Sequence, residues 1–201
     1  MSLQDWADNG WLKPHQTDWQ EIAALLAIVE RDLRDASNPI LSADWQFGIA
    51  YNSALKLCTV ILFSQGFRPE NALAHYRTIM ALKEIPQQNW AHYTAYLNAC
   101  RIRRNTLEYH QIDLVSQEEA TQLVRFATTF RVEVLDYLDK FHPTLAPLPD
   151  DIGGDNAPNE ANAQKAHPSK PGYHGAGGNS SRTSRTSKDT RNIRGRSRRT
   201  A

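Results

Sequence analysis

Between Arg101 and His110 the chain places three arginines, an asparagine, a tyrosine and a histidine within ten residues. Arg101, Arg103 and Arg104 supply planar, permanently charged forks of N–H donors that match phosphate oxygens. His110 supplies an imidazole that titrates near neutral pH and so accepts a proton there. Together they meet the minimum for metal-independent RNA cleavage. The histidine would take the 2′-hydroxyl proton, and an arginine would stabilise the charge that builds on the pentacoordinate phosphorus. Asn105 and Tyr109 add neutral hydrogen-bonding groups for a substrate.

The same residues also have a plain structural use. Arg104 and Glu108 are spaced as an exposed helix pair, worth about a few tenths of a kcal/mol. His110 suits a helix C-terminus, where a cation is favoured. Geometry divides the arginines further. Six residues of continuous helix turn through about 600°, which leaves positions 104 and 110 about 120° apart. Arg104 and His110 would then share a face only if the helix ended before His110. Positions 103 and 110 share a face on an unbroken helix, so Arg103 is the rival phosphate-binding residue.

The elements that must carry this segment read as helices. Thr17 and Gln20 have capping-box spacing, and Trp19, Ile22, Leu26, Val29 and Leu33 follow as one apolar stripe. Ser37-Asn38-Pro39 stops that helix. A second helix runs from Ser42 to Gln65, apolar on more than one side as a central helix should be, with Gly66 as its terminator. A shorter helix spans about 71–85 and ends at Pro86, and a further one spans roughly 87–108. Gln111-Ile112-Asp113 reads as a break. Ser116 to Glu119 form a capping box for the last helix, whose stripe includes Ala120, Leu123, Ala127, Phe130, Val134, Leu138 and Phe141. No alternating run is long enough to predict a strand. The expected fold is all-α, an antiparallel four- to five-helix bundle over 17–142, preceded by an extension over 1–16.

Beyond Pro143 the composition changes. From 147 onward Pro, Gly, Asn and Ser dominate, and such a segment cannot bury enough apolar surface to offset its ordering entropy. Residues 143–201 are expected to be a disordered tail. Residues 182–201 hold seven arginines, one lysine and one aspartate, a net +7, so the overall +1 leaves −6 on residues 1–181. The tail suits nonspecific contact with nucleic acid, weakening steeply with salt.

Cys58 and Cys100 fall inside apolar helical patterns and read as buried, reduced thiols. His15, His75, His92, His142, His167 and His174 show no metal-ligand spacing, and no metal or other cofactor is expected. His75 and Tyr76 lie where they could approach a cleft, although His75 reads first as a surface residue. Trp45, Tyr51, Tyr93 and Tyr96 read as core or interface aromatics, and a buried Asn52 could orient an arginine of the 101–110 segment. The N-terminus lacks the basic start and apolar run of a secretory signal. No segment is expected to reach the ~20 apolar residues of a membrane span, which suggests a soluble cytoplasmic protein.

The segment Arg104-Asn105-Thr106-Leu107-Glu108-Tyr109-His110 resembles the Arg-polar-x(4)-His signature of the HEPN superfamily, which includes prokaryotic ribonuclease toxins and defence proteins. The layout over about 42–138 is similar to that of stand-alone bacterial members. Tyr51-Asn52-Ser53-Ala54-Leu55, Phe67-Arg68-Pro69 and the Arg104 to Tyr109 stretch occupy corresponding places. The resemblance implies Arg104 and His110 as a catalytic pair and Asn105 as the polar residue after the arginine. It also implies a homodimer with the site at its interface, RNA as substrate, and an antitoxin or nucleotidyltransferase as partner. Since many members are inactive, the alternative it implies is a non-catalytic module that binds a partner protein or nucleic acid.

Overall fold

A computed structural model describes residues 1–110 and 115–147, with the side chains of 106–110 excepted. All of these residues belong to one compact unit, Met1–Asn156. The unit is mostly helical: α1 (Leu3–Asp8), α2 (Trp19–Ala36), α3 (Ala43–Ser64), α4 (Ala74–Ala81), α5 (Ala91–His110) and α6 (Gln117–Phe141). A 3-10 turn, Leu82–Glu84, continues α4. The tail expected to be disordered lies outside the described residues from 148 on, as does the break expected at 111–113.

The central helix is α3, which packs against α2, α4, α5 and α6. Phe47, Ala50, Tyr51, Ala54, Leu57, Cys58, Val60, Ile61 and Leu62 are all buried along it. This apolar length overturns one expectation, because α3 meets the length and composition requirement for a bilayer span. Much of that apolar surface is covered by α2 and α6, as in the core helix of a globular fold.

The capping signals hold with small shifts. At α2 the cap is Asp18, whose carboxylate accepts from Glu21 N at 2.9 Å. Thr17 instead donates to the Glu21 carboxylate at 2.6 Å, and His15 Nε2 meets the same oxygen at 2.8 Å. Trp19 leaves the predicted apolar stripe and stands 43% exposed. Gly66 ends α3 at φ +82°, a left-handed conformation that costs a glycine little. The Ser116–Glu119 capping box forms in both directions.

Two three-residue strands are present where none was predicted. β1 (Leu12–Pro14) pairs antiparallel with β2 (Phe67–Pro69), Leu12 opposite Pro69 and Pro14 opposite Phe67. Each is too short to show a two-residue period, and each carries a proline that ends the ladder. The ladder and α1 bring Leu3, Trp6 and Leu12 into the core, so residues 1–16 pack against the helices they were expected to precede. At the other end, Leu145 N and Ala146 N return to His142 O, and both side chains pack against the core.

Ties between elements fix α5 and α6 in place. Arg131 of α6 pairs with Glu30 of α2. Val115 N donates to Asp44 Oδ1 at 3.1 Å, and Gln117 Nε2 donates to Gln46 Oε1 at 2.6 Å, joining the start of α6 to the start of α3. Trp90, 1% exposed, sets its ring edgewise against Tyr93, Phe130 and Tyr137 at 5.4–5.8 Å and anchors the start of α5.

Candidate functional site

The arginine-rich segment lies on the last turns of α5, which continues as helix through His110. Three residues of helix turn through about 300° and four through about 400°. Arg101, Arg104 and Asn105 therefore occupy one face of α5, and Arg103 looks elsewhere.

The contacts follow that division. Arg103 Nη2 meets Glu119 Oε1 at 3.4 Å, on α6. Glu119 is also the closing residue of the α6 capping box, and the Ser116 backbone N–H holds its carboxyl below the usual carboxylate range, with Arg103 assisting. Arg104 turns toward α3 instead, its guanidinium carbon 5.7 Å from the centre of the Tyr51 ring. Arg101 lies over the Tyr76 ring at 5.3 Å, and its Nε donates to Asn98 Oδ1 at 3.1 Å.

Tyr51 is the floor under these groups. It is fully buried on α3, its ring 6.1 Å from that of His75, and its hydroxyl has no hydrogen-bond partner among the described residues. Burial drives its pKa well above the ordinary tyrosine value, and the positive charges of Arg104 and Arg101 only partly oppose this. It stays a neutral phenol.

Beside these groups is a groove of about 300 Å³, with Asn71, Leu73, Ala74, His75 and Tyr76 on one wall and Arg101 and Asn105 on the other. Its first wall is the start of α4, where Leu73 holds φ +53° with no side-chain cap. For a leucine that conformation costs roughly 1–2 kcal/mol. It turns the chain sharply enough to bring His75 and Tyr76 opposite α5.

The structure thus brings Arg101, Arg104 and Asn105 together and separates Arg103 from them. The backbone of Tyr109 and His110 is helical, but their side chains, like that of Glu108, lie outside the described residues. Positions 104 and 110 are about 120° apart on this unbroken helix. His75 is exposed, as expected, and with Tyr76 it borders the groove; the sequence signal for both is a histidine-aromatic pair at the start of a short helix. Asn52 is half-buried, while Trp45, predicted as core or interface, is 68% exposed.

The two cysteines are buried and unbridged, and burial pushes the Cys100 thiol up to about 11 and Cys58 further. Neither is a nucleophile near neutral pH. Among the described residues no three His, Cys, Asp or Glu side chains come close enough to hold a metal ion.

No family model, no curated protein and no solved structure matches this chain. The resemblance to the HEPN superfamily therefore stands on the motif residues alone.

Proposed function

We propose that this protein acts on RNA as a HEPN-like, metal-independent endoribonuclease, with the arginine face of α5 as its phosphate-binding surface. The observation that carries this reading is the sorting of the arginines. Arg101 and Asn105 line one groove, and Arg104 shares their face of α5, over the Tyr51 ring, while Arg103 pairs with Glu119.

In this reading Arg104 holds the phosphodiester and His110 takes the 2′-hydroxyl proton. The 2′-oxygen then bonds to phosphorus as the bond to the 5′-oxygen breaks. The departing 5′-oxygen takes a proton from water while His110 releases its own to solvent, leaving a 2′,3′-cyclic phosphate and a 5′-hydroxyl end. Because positions 104 and 110 diverge on one helix, the working pair forms between two chains, Arg104 of one with His110 of the partner subunit. Helices α2, α3, α5 and α6 are the antiparallel frame of the bundle, with α4 as its short fifth member. A neighbouring antitoxin or nucleotidyltransferase is the partner that this reading anticipates, and the cytoplasm its place of action.

Purified protein incubated with total RNA in EDTA tests the reading. Cleavage should persist in the chelator and disappear in His110→Ala and in Arg104→Ala. Mixing those two inactive variants should restore part of the activity, since a mixed dimer contains one complete pair. RNA bound without cleavage by the unmodified chain would overturn the enzymatic reading and leave the non-catalytic binding module.

A further inference from the structure

Arg104 and His110 account for the phosphodiester and its proton, not for recognition of the nucleotide that carries them. The groove one helical turn from Arg104 has the parts for that recognition. Arg101 is half-buried, its Nε is held by Asn98 Oδ1, and no carboxylate pairs with it among the described residues. A partly desolvated guanidinium without a counter-ion attracts an anion, and its terminal N–H groups match two phosphate oxygens at once. Asn105, on the same wall, adds an amide donor.

Opposite them stands Tyr76. Arg101 covers one part of its ring, yet the residue keeps 36% of its surface exposed. An exposed aromatic ring beside a cation is the arrangement on which single-stranded nucleic acids stack their bases. His75 borders the same opening and adds a positive charge when protonated. The groove, at about 300 Å³, is at the lower end of the range for small-molecule pockets, room for one nucleotide unit rather than a duplex.

We infer that the groove between the start of α4 and the end of α5 binds one nucleotide of single-stranded RNA, its phosphate on Arg101 and Asn105 and its unpaired base on Tyr76. This inference rests on the RNA reading above and names the substrate class of that site. A base-paired nucleotide has no free face to offer Tyr76, so the groove selects single strands. Arg101 and Arg104, three residues apart, are separated by about 4.5 Å along the helix axis, and the bound strand runs along α5 past both.

The test measures binding rather than cleavage. A short, fluorescently labelled single-stranded RNA carrying 2′-O-methyl groups cannot be cut, and its affinity is titrated at several salt concentrations with full-length protein. Tyr76→Ala should weaken binding between roughly fivefold and a hundredfold. Arg101→Gln should weaken it and lower the slope of log affinity against log salt by about 0.7. Duplex RNA of the same length, held by the basic tail through phosphates alone, should bind all three proteins alike. Unchanged single-strand affinity in both variants, or equal losses for duplex and single strand, would overturn the inference. Cleavage assays on the same variants keep the two proposals apart. An active wild type with unaltered binding in the variants removes the groove alone, whereas selective binding loss in a chain that never cleaves removes the enzyme alone.

Discussion

Tyr51 is the residue on which the site's energetics turn. A buried hydroxyl without a partner costs about 1–3 kcal/mol relative to a satisfied one, and here it lies beneath His75 and Arg104. Tyr51→Phe removes the oxygen and keeps the ring, so it should raise stability by about 1 kcal/mol, read as a higher midpoint in urea with unchanged slope. An unaltered or lower midpoint would show that the hydroxyl is satisfied in solution. The arginines give a second prediction. Arg103→Ala removes an exposed ion pair, worth less than about 1 kcal/mol, and should leave RNA cleavage intact, whereas Arg104→Ala should abolish it. Comparable loss in both would return Arg103 to the rank of a phosphate ligand. His142 supplies a third. Gln65 Nε2 lies 2.8 Å from its Nε2, and burial lowers the imidazole pKa below its ordinary value of 6.5. A histidine that resists protonation in the folded state favours folding fully only above its unfolded pKa, and that contribution fades as pH falls below about 6.5. Thermal midpoints measured from pH 7.5 to 5 should decline, and His142→Gln should flatten that decline.

At the scale of elements, the informative joint is the start of α4. Leu73 holds a left-handed conformation without a cap. Leu73→Gly relieves that strain at an exposed position, and calorimetry should show the thermal midpoint rising by about 2–4 °C. The joint also shows where sequence reasoning ran out. Amphipathic stripes and capping boxes made α2, α3 and α6 legible to within a residue or two, because both signals are local. The span of α4 was overextended, since nothing about Leu73 advertises positive φ. The β1–β2 ladder was illegible because a three-residue pairing between positions 55 residues apart leaves no periodic trace. For the site, the composition of Arg101 to His110 pointed to the last turns of α5, where Arg101 and Asn105 line the groove. The division of labour among the arginines emerged only once Glu119 and Tyr51 were placed on opposite sides of α5.

At the scale of the whole molecule, charge is unevenly allotted. Residues 1–181 carry −6 and the last twenty carry +7. Residues 1–147 alone hold 13 Lys and Arg against 17 Asp and Glu, a net −4. A folded body of that sign repels a polynucleotide at long range, and the terminal arginines counter it. Removing 182–201 should weaken RNA association most at low salt and flatten its salt dependence, while groove selectivity for single strands persists. Titration of both proteins against labelled RNA between 50 and 300 mM salt decides this, and identical salt slopes would refute a role for the tail in binding. The small ladder has a reach beyond its size. Trp11 O accepts from Glu70 N at 3.0 Å and β1 clasps β2, so the chain is pinned immediately before Asn71, where the groove wall begins. Docking of the N-terminal arm and occupancy of the groove are thus two reactions that share a component, and linkage makes them reciprocal. RNA in the groove should slow proteolytic release of the arm, and any modification that peels the arm away is paid back as lost affinity about sixty residues downstream.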